Sequence, residues 1–214
     1  MTFEFIYGGS FDPLHKGHVN LVKEVINHVK ALAERSINDI AFRFLPCATP
    51  ALKKRSTNSF SNRCDKLNEV FTPFFLEQEI DMLVDKREGV RTTAGENKSY
   101  TVDSLEELKS ENDSIIRFLI IGADNFNRLK RWKNYQEIKS YCNLLVVNRA
   151  KESLEHWVSL AECYGFNAKL KNNELLKKQK LGCCYYLQIP EVDISSTEIR
   201  EKIKANHSVE DWLA

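Results

Sequence analysis

Two kinds of hydrophobic pattern alternate along most of the chain. Short apolar or alternating runs, typical of β-strands, occupy residues 3–7, 39–45, 78–84, 115–121, 144–147 and 185–189. Apolar residues at helical spacing occupy residues 19–33, 63–71, 100–108, 154–164 and 196–204. This alternation predicts an α/β fold, with a mostly parallel sheet covered by helices on both faces. We expect residues 1–214 to form a single domain, because no linker, repeat or low-complexity stretch interrupts the pattern.

The stretches between these elements predict connections of several kinds. Residues 89–99 lack apolar periodicity and predict a loop, whereas residues 125–142 predict helical or irregular structure. Residues 47–62 are polar and basic and follow a strand, so they form either a functional loop or a solvated connector. In parallel sheets, ligands bind beyond the carboxyl ends of the strands, near the point where strand order reverses. The residues that follow the strands are therefore the candidate site.

Composition and charge exclude several classes of function. The 214 residues are 43% hydrophobic, and 31 basic against 30 acidic residues leave a formal charge of +1. This balance gives no overall attraction to nucleic acid or to a membrane surface, so any phosphate site must be local. No apolar run reaches the roughly 20 residues of a membrane helix, and the amino terminus lacks the order of a secretion signal. The six cysteines are scattered without a C-x-x-C pair, which predicts reduced thiols and a cytoplasmic protein.

The stretch 8–18 joins the first strand to the first helix and carries the most informative chemistry. It contains Gly8, Gly9, Ser10, His15 and His18. A helix amino terminus offers unpaired N–H groups and a positive dipole end, and glycines let a backbone approach an anion closely. The usual P-loop and G-x-G-x-x-G patterns are absent. The stretch predicts a nucleotide-phosphate site, and a zinc site is the weaker alternative because no third ligand lies at local spacing.

Five stretches together resemble a known family. Residues 8–18 resemble the GGSFDPxHxGH signature of the HxGH nucleotidyltransferases. Residues 99–105 are similar to the SYTxxTL segment of bacterial nicotinate-nucleotide adenylyltransferases, and residues 120–126 to their IIGxDxL/F strand end. Trp132 and Tyr135 lie where those enzymes carry a tryptophan-centred segment, and residues 194–200 resemble their ISSTxIR motif. The resemblance runs, with gaps, from about residue 3 to about residue 205, and the motifs keep the family's order.

The resemblance implies a Rossmann-like fold and a specific reaction. AMP would move from ATP to nicotinate mononucleotide in NAD biosynthesis, giving deamido-NAD and pyrophosphate by in-line attack without a covalent enzyme intermediate. Mg²⁺ would accompany the ATP, with no metal ligand from the chain itself. The partners implied are these two small molecules, with neither nucleic acid nor membrane. The protein would be a monomer or a small homo-oligomer.

The resemblance also implies roles for individual residues. The catalytic residues are His15, His18 and Arg200, with His18 stabilising charge at the α-phosphate. The ATP-binding residues are Gly8, Gly9, Ser10, Phe11, His15, His18, Gly122, Asp124, Ser195, Ser196 and Arg200. The acceptor-binding residues are Lys53, Tyr100, Thr101, Trp132 and Arg149. Among them, Asp124 would meet the ribose, Trp132 would stack on the pyridine ring, and the backbone around Tyr100 and Thr101 would meet the pyridine carboxylate.

The chain departs from the family pattern at two places. The loop after the second strand usually reads P-P-H-K, but here Leu52 replaces the histidine, so the phosphate role of that loop depends on Lys53. Only residues 201–214 follow Arg200, which is short for the family and leaves its oligomer contacts unsupported.

Other interpretations stay open at this point. A phosphopantetheine adenylyltransferase shares the HxGH turn but usually has T-x-G-H where this chain has residues 15–18, and it lacks the SYT segment. A nucleotide-binding protein without catalysis is an alternative of a different class. For single features, residues 195–197 could be a plain helix cap and Trp132 a half-buried core residue.

Overall fold

The computed structural model describes most of the chain. The described residues are 2–32, 39–50, 56–93, 98–148, 153–170, 175–176, 181–190, 192, 194, 196–205 and 207–214. Three of the predicted site residues, Lys53, Arg149 and Ser195, lie outside them, as does Leu52.

Within the described residues, seven strands form one parallel sheet, and the hydrophobic pattern predicts six of them. They are β1 (Phe3–Gly9), β2 (Ile40–Pro46), β3 (Asp81–Val84), β4 (Ile116–Gly122), β5 (Asn143–Asn148), β6 (Asn167–Lys169) and β7 (Cys183–Gln188). Their order across the sheet is β3-β2-β1-β4-β5-β7-β6, and each neighbouring pair is parallel. From β1 the chain first builds outward through β2 and β3, and then returns to place β4 on the other side of β1. Strand order therefore reverses between β1 and β4.

Seven α-helices accompany the strands within the described residues. They are α1 (Lys16–Leu32), α2 (Phe60–Gln78), α3 (Arg87–Thr93), α4 (Thr101–Glu111), α5 (Ala123–Phe126), α6 (Leu154–Cys163) and α7 (Ser196–Lys204). Short 3-10 helices lie at Leu129–Arg131, Tyr135–Ser140 and Glu210–Trp212. In that part of the chain, no helix is both long and apolar enough to cross a bilayer.

The two faces of the sheet carry separate hydrophobic cores. Phe5 belongs to one core with the buried sides of α1 and α2, and the next residue, Ile6, belongs to the other with α4 and α6. Successive side chains of a strand point to opposite faces, so a sheet covered on both sides needs apolar residues at successive positions. Both side chains are fully buried, which explains the continuous apolar runs in the sequence.

A buried layer of charge replaces apolar packing at one end of the α4 face. Glu4 accepts a hydrogen bond from Arg117 Nε at 2.9 Å and pairs with Arg43 Nη2 at 2.7 Å. Arg43 also contacts the carboxylate of Asp85, which in turn accepts from Arg87 Nε at 2.7 Å. Charged groups that are buried need partners of opposite sign, and this chain of contacts supplies them across β1, β2, β4 and the start of α3.

The helix predicted at residues 63–71 and the strand predicted at residues 78–84 have different bounds in the structure, and β6 was not predicted. Helix α2 extends from residue 60 to 78 rather than from 63 to 71, and ends where Glu79 adopts a φ of 56°. For this reason β3 begins at residue 81 instead of 78. Strand β6 has only three residues and gave no hydrophobic signal.

The loop predicted at residues 89–99 was wrong in its first part, because α3 occupies residues 87–93. This helix lacks apolar periodicity because its buried and half-buried positions hold charged side chains, Glu88, Arg87 and Arg91, that are paired rather than solvated. A search for hydrophobic spacing cannot find such a helix.

Candidate active site

A cleft of about 640 Å³ opens at the carboxyl ends of β1 and β4, where strand order reverses. This is the position at which open parallel sheets bind ligands. Every predicted site residue that the structure describes lines this cleft: Gly8, Gly9, Ser10, Phe11, His15, His18, Tyr100, Thr101, Gly122, Asp124, Trp132, Ser196 and Arg200. The structure thus brings together residues from five separate motifs.

The two histidines of the first turn form a compact pair. Their ring centroids are 3.8 Å apart, and the backbone N–H of His15 donates to His18 Nδ1 at 3.3 Å. The backbone N–H of His18 returns a hydrogen bond to the His15 carbonyl oxygen at 2.8 Å. Because Nδ1 of His18 accepts a hydrogen bond, the neutral ring carries its proton on Nε2. This tautomer suits donation from Nε2 to an anionic oxygen.

The ring of Phe11 packs against His18 of the histidine pair. This ring is buried and lies edge-on to His18, with centroids 5.3 Å apart. A Cβ on Gly9 would come within 3.1 Å of the same ring, so the glycine leaves the space that Phe11 fills. The φ of Phe11 is 48°, in the left-handed region that few side chains adopt. The geometry gives Phe11 a packing role in the turn.

The first turns of α7 contact the stretch that leads into α1. Arg200 Nη1 donates to the carbonyl oxygen of Asp12, and Arg200 Nη2 donates to Thr197 Oγ1 at 3.1 Å. Ser196 Oγ lies 3.5 Å from the carbonyl oxygen of Pro13. The amino ends of α1 and α7 therefore meet at one end of the cleft. Two helix amino termini with a guanidinium and two imidazoles make that end suited to a polyanion.

The side chain of Asp12 anchors a second loop to this turn. Its carboxylate accepts hydrogen bonds from the backbone N–H groups of Thr57 and Asn58 at 2.6 and 3.0 Å. The side chains of the same two residues donate at 3.1 and 2.7 Å. Burial alone would raise the pKa of Asp12, but these four hydrogen bonds outweigh it and the pKa is lowered. Asp12 was not among the predicted site residues, although it lies inside the first motif.

Arg63 is a further residue that the sequence did not identify. Its side chain is buried in the first turn of α2, and Nη1 donates to the carbonyl oxygens of Ser10 and Cys47 at 2.6 and 2.8 Å. Nη2 lies 3.4 Å from the carbonyl oxygen of Ala48. Arg63 therefore joins the loops that follow β1 and β2. An arginine that opens an amphipathic helix has the same sequence pattern as a solvated one, so no signal distinguished it.

At the polyanion end of the cleft, the end of β4 forms the wall opposite the amino ends of α1 and α7. A Cβ built on Gly122 meets no atom within 4 Å, so it would project into open space in the cleft. Asp124 follows on the short helix α5, with its side chain exposed at the cleft. A backbone without a side chain at residue 122 lets a ligand approach β4 closely.

The other end of the cleft is lined by the start of α4 and by the aromatic residues Tyr100 and Trp132. Tyr100 is the N-cap residue of α4, and its side chain makes no capping hydrogen bond to the first N–H groups of this helix. Trp132 is half-buried and packs against the α4 core, and Lys133 Nζ lies 4.7 Å from the centroid of the Tyr100 ring. An uncapped helix start suits a carboxylate, and the neighbouring aromatic rings suit a flat apolar group. Because serine and threonine are common N-cap residues, the sequence predicts Thr101 or Ser99 as the N-cap of α4, and this prediction was wrong.

Within the described residues, no group of three or more His, Cys, Asp or Glu side chains is placed to hold a metal ion. The donor set of the cleft is dominated by N–H groups and cationic side chains. Such donors bind anions rather than metal ions.

Comparisons of sequence place the chain among known proteins. A family model described as Cytidylyltransferase-like matches residues 6–202. A probable nicotinate-nucleotide adenylyltransferase of Legionella pneumophila (strain Lens) is 32% identical over 212 residues, which cover 97% of this chain and 90% of that protein. A protein of the same description from Hahella chejuensis is 30% identical, over 92% of this chain and 83% of the relative.

Comparisons of structure give the same fold. A Plasmodium falciparum nicotinic acid mononucleotide adenylyltransferase complexed with NaAD superposes with a TM-score of 0.68 at 16% identity, covering 100% of this chain and 91% of its own. The same enzyme complexed with APC gives a TM-score of 0.65 at 17% identity, with coverages of 100% and 90%. At these identities the likeness concerns the fold alone.

Proposed function

Because the chain belongs to the nicotinate-nucleotide adenylyltransferase family, within the cytidylyltransferase-like nucleotidyltransferases, we propose that it transfers AMP from ATP to nicotinate mononucleotide. The products are deamido-NAD and pyrophosphate, and the reaction is a step of NAD biosynthesis. One observation supports this most strongly. The cleft has a cationic end, where α1 and α7 meet, and an aromatic end with the uncapped start of α4.

The cationic end is the proposed site of the ATP triphosphate. Ser10, His15 and His18 approach it from the first turn, and Ser196 and Arg200 approach it from α7. Arg200 and Ser196 would hold the β- and γ-phosphates, because a guanidinium can bind two phosphate oxygens at once. Gly122 and Asp124 would border the adenosine, with the carboxylate of Asp124 accepting a hydrogen bond from a ribose hydroxyl.

The proposed reaction depends on the alignment of the two substrates rather than on a nucleophilic side chain of the protein. A phosphate oxygen of the acceptor attacks the α-phosphorus in line, and the bond from that phosphorus to the oxygen leading to the β-phosphate breaks. Pyrophosphate leaves with that oxygen. Because the acceptor attacks ATP directly, no covalent bond to the enzyme forms. The Nε2 proton of His18 would donate to an α-phosphate oxygen as negative charge develops there. Positioning of the two substrates supplies much of the remaining rate.

The aromatic end is the proposed site of the pyridine ring. Trp132 would stack on the ring, and the first N–H groups of α4 beside Tyr100 and Thr101 would donate to its carboxylate. A carboxylate gains from these N–H groups and from the helix dipole, whereas an amide gains less. This arrangement favours the acid mononucleotide over the amide.

Mg²⁺ would enter with the ATP. The described side chains form no carboxylate cluster, so the phosphate oxygens themselves are the ligands that suit it. When bound, the ion supplies charge neutralisation on the triphosphate. Roles for Lys53, Arg149 and Ser195 stay predictions from the sequence.

An assay of pyrophosphate release from ATP tests the proposal. Nicotinate mononucleotide, nicotinamide mononucleotide and phosphopantetheine are offered separately, each with Mg²⁺. We expect the highest kcat/KM with nicotinate mononucleotide, a lower value with the amide, and no turnover with phosphopantetheine. Turnover with phosphopantetheine alone would overturn the proposal, and absence of turnover with all three would favour a nucleotide-binding protein without catalysis.

A further inference from the structure

One buried carboxyl group borders the aromatic end of the cleft and has no role in the reaction proposed above. Glu88 lies on α3, is 3% exposed, and lines the same cleft as Tyr100 and Trp132. A carboxyl group at such depth is costly unless donors surround it. The identity of those donors indicates what the residue does.

The donors to Glu88 come from separate parts of the chain. Oε2 accepts from the backbone N–H of Ala48, in the loop after β2, at 3.3 Å. Oε1 accepts from Ser104 Oγ, on the inner side of α4, at 3.3 Å, and the hydroxyl of Ser99 donates as well. One carboxylate therefore joins the β2 loop to the amino-terminal part of α4.

A direct contact strengthens this junction. The backbone N–H of Ser99 donates to the carbonyl oxygen of Thr49 at 3.0 Å, and the N–H of Thr49 lies 3.3 Å from Ser99 Oγ. Pro50 and Ser99 form an isolated parallel bridge. The β2 loop and the residue before Tyr100 are therefore held together, and the side chain of Glu88 joins both to α3.

The position of Glu88 is itself determined by close packing of α3. A Cβ on the neighbouring Gly89 would come within 2.3 Å of the Phe60 ring, so only glycine lets α3 approach α2 this closely. On the other side of Glu88, Arg91 Nη2 donates to Ser104 Oγ at 2.6 Å and Nη1 donates to Glu107 at 2.6 Å. Burial raises the pKa of Glu88, and the donors from Ser99, Ala48 and Ser104, together with the charge of Arg91, oppose this rise.

From these contacts we propose that Glu88 is a positioning residue for the acceptor site. By holding Ala48, Ser99 and Ser104, it fixes the position at which the first N–H groups of α4 face the cleft. It does not touch the ATP triphosphate, which the proposed function assigns to the opposite end. The inference rests on the proposed function, since it assigns the α4 end to the acceptor. Glu88 should therefore control the KM for nicotinate mononucleotide and leave the KM for ATP nearly unchanged.

The test compares three variants in the pyrophosphate assay, with thermal unfolding measured on each. Glu88→Gln keeps the volume of the side chain but replaces one carboxylate oxygen with an NH₂ group. That group cannot accept a hydrogen bond from the surrounding donors. Ser104→Ala removes one donor and leaves the carboxyl group. Glu107→Gln is the control, because Glu107 shares Arg91 with this network but does not line the cleft.

We expect Glu88→Gln to raise the KM for nicotinate mononucleotide about tenfold, the effect of one buried donor left unpaired. Ser104→Ala should raise it about threefold, and Glu107→Gln less than about twofold, with the KM for ATP within about twofold in all three. An unchanged acceptor KM in Glu88→Gln, or equal rises for both substrates, would overturn the inference. If the wild-type protein does not use nicotinate mononucleotide, the proposed function fails instead, so the two failures are distinguishable.

Discussion

Arg200 Nη1 donates a hydrogen bond to the backbone carbonyl oxygen of Asp12, across 188 positions of sequence. This contact fixes the second turn of α7 to the turn between β1 and α1. The Asp12 carboxylate in turn binds Thr57 and Asn58, so the contact also connects α7 to the loop before α2. The cationic end of the cleft is therefore a preformed structure.

Arg200→Lys tests the role of the guanidinium fork. Lysine keeps the charge but cannot contact Asp12 and a phosphate through paired donors. We expect kcat/KM for ATP to fall at least about tenfold. Arg128→Lys is the matched control, because Arg128 is exposed and does not line the cleft. Equal kinetics for the two variants would remove Arg200 from the ATP site.

His18→Ala tests charge stabilisation at the α-phosphate. Removal of one donor to a developing negative charge reduces kcat by about a hundredfold or more. His18 is only half-buried, so we expect the Tm to fall by no more than about 4 °C. His156→Ala, at an exposed position on α6, should leave both quantities unchanged. A near-normal kcat in His18→Ala would contradict its role.

Gly122→Ala and Gly89→Ala separate ligand contact from packing. The added methyl at residue 122 meets no protein atom, so we expect an unchanged Tm and a KM for ATP raised about tenfold. The methyl at residue 89 would collide with Phe60, and we expect the Tm to fall by roughly 3–10 °C. Thermal unfolding and ATP kinetics on both variants check this. A stable Gly122→Ala enzyme with normal ATP kinetics would place the nucleotide elsewhere.

The ionisation of Asp85 should make the free energy of unfolding depend on pH. Burial acts to raise its pKa, but hydrogen bonds from Arg87 and the charges of Arg87 and Arg43 prevail, and the pKa is lowered. A carboxyl group with a lowered folded pKa stabilises the protein above its unfolded pKa of about 3.9, and loses this effect as pH falls through the folded value. We expect Asp85→Asn to be less stable than wild type at pH 7.

The difference between Asp85→Asn and wild type should shrink as pH falls below about 4. Urea unfolding between pH 7 and pH 3 measures it. Asp113→Asn is the control, because the Asp113 side chain is 78% exposed and its pairing with Lys109 is loose at 3.8 Å. A difference for Asp85→Asn that stays constant over this range would contradict the ionised, paired state of Asp85.

Trp132→Ala distinguishes stacking on the acceptor from packing in the core. We expect the KM for nicotinate mononucleotide to rise about tenfold with little change in the KM for ATP. Trp157→Phe, in the buried core under α6, should instead lower the Tm and leave both KM values unchanged. A pure loss of stability in Trp132→Ala would favour the core interpretation.

The sequence predicted the parts of the molecule that have local patterns. Strand and helix alternation gave the parallel sheet, and α7 has the predicted bounds of residues 196–204. The stretch 8–18 and the residues around Tyr100 and Trp132 were expected at the site, and the structure brings them to one cleft. These signals depend on spacing within a few residues, which a single sequence contains.

Charged residues that are buried could not be predicted from such local patterns. Arg63, Glu88 and Asp12 are charged residues that an amphipathic or loop pattern assigns to solvent, yet each is buried and binds backbone groups of distant loops. The backbone groups that these three side chains bind lie between 15 and 53 positions away along the chain. Only the packing of the sheet and helices shows that these partners meet.

A crystal structure of the protein with deamido-NAD would show where each part of the product binds. We expect the pyridine ring against Trp132, the pyridine carboxylate at the first N–H groups of α4, and the bridging phosphates beside His18. We expect the adenosine next to Gly122 and Asp124. A product bound with its pyridine ring away from Trp132 and α4, or with its phosphates away from the α1 turn, would contradict the proposed function.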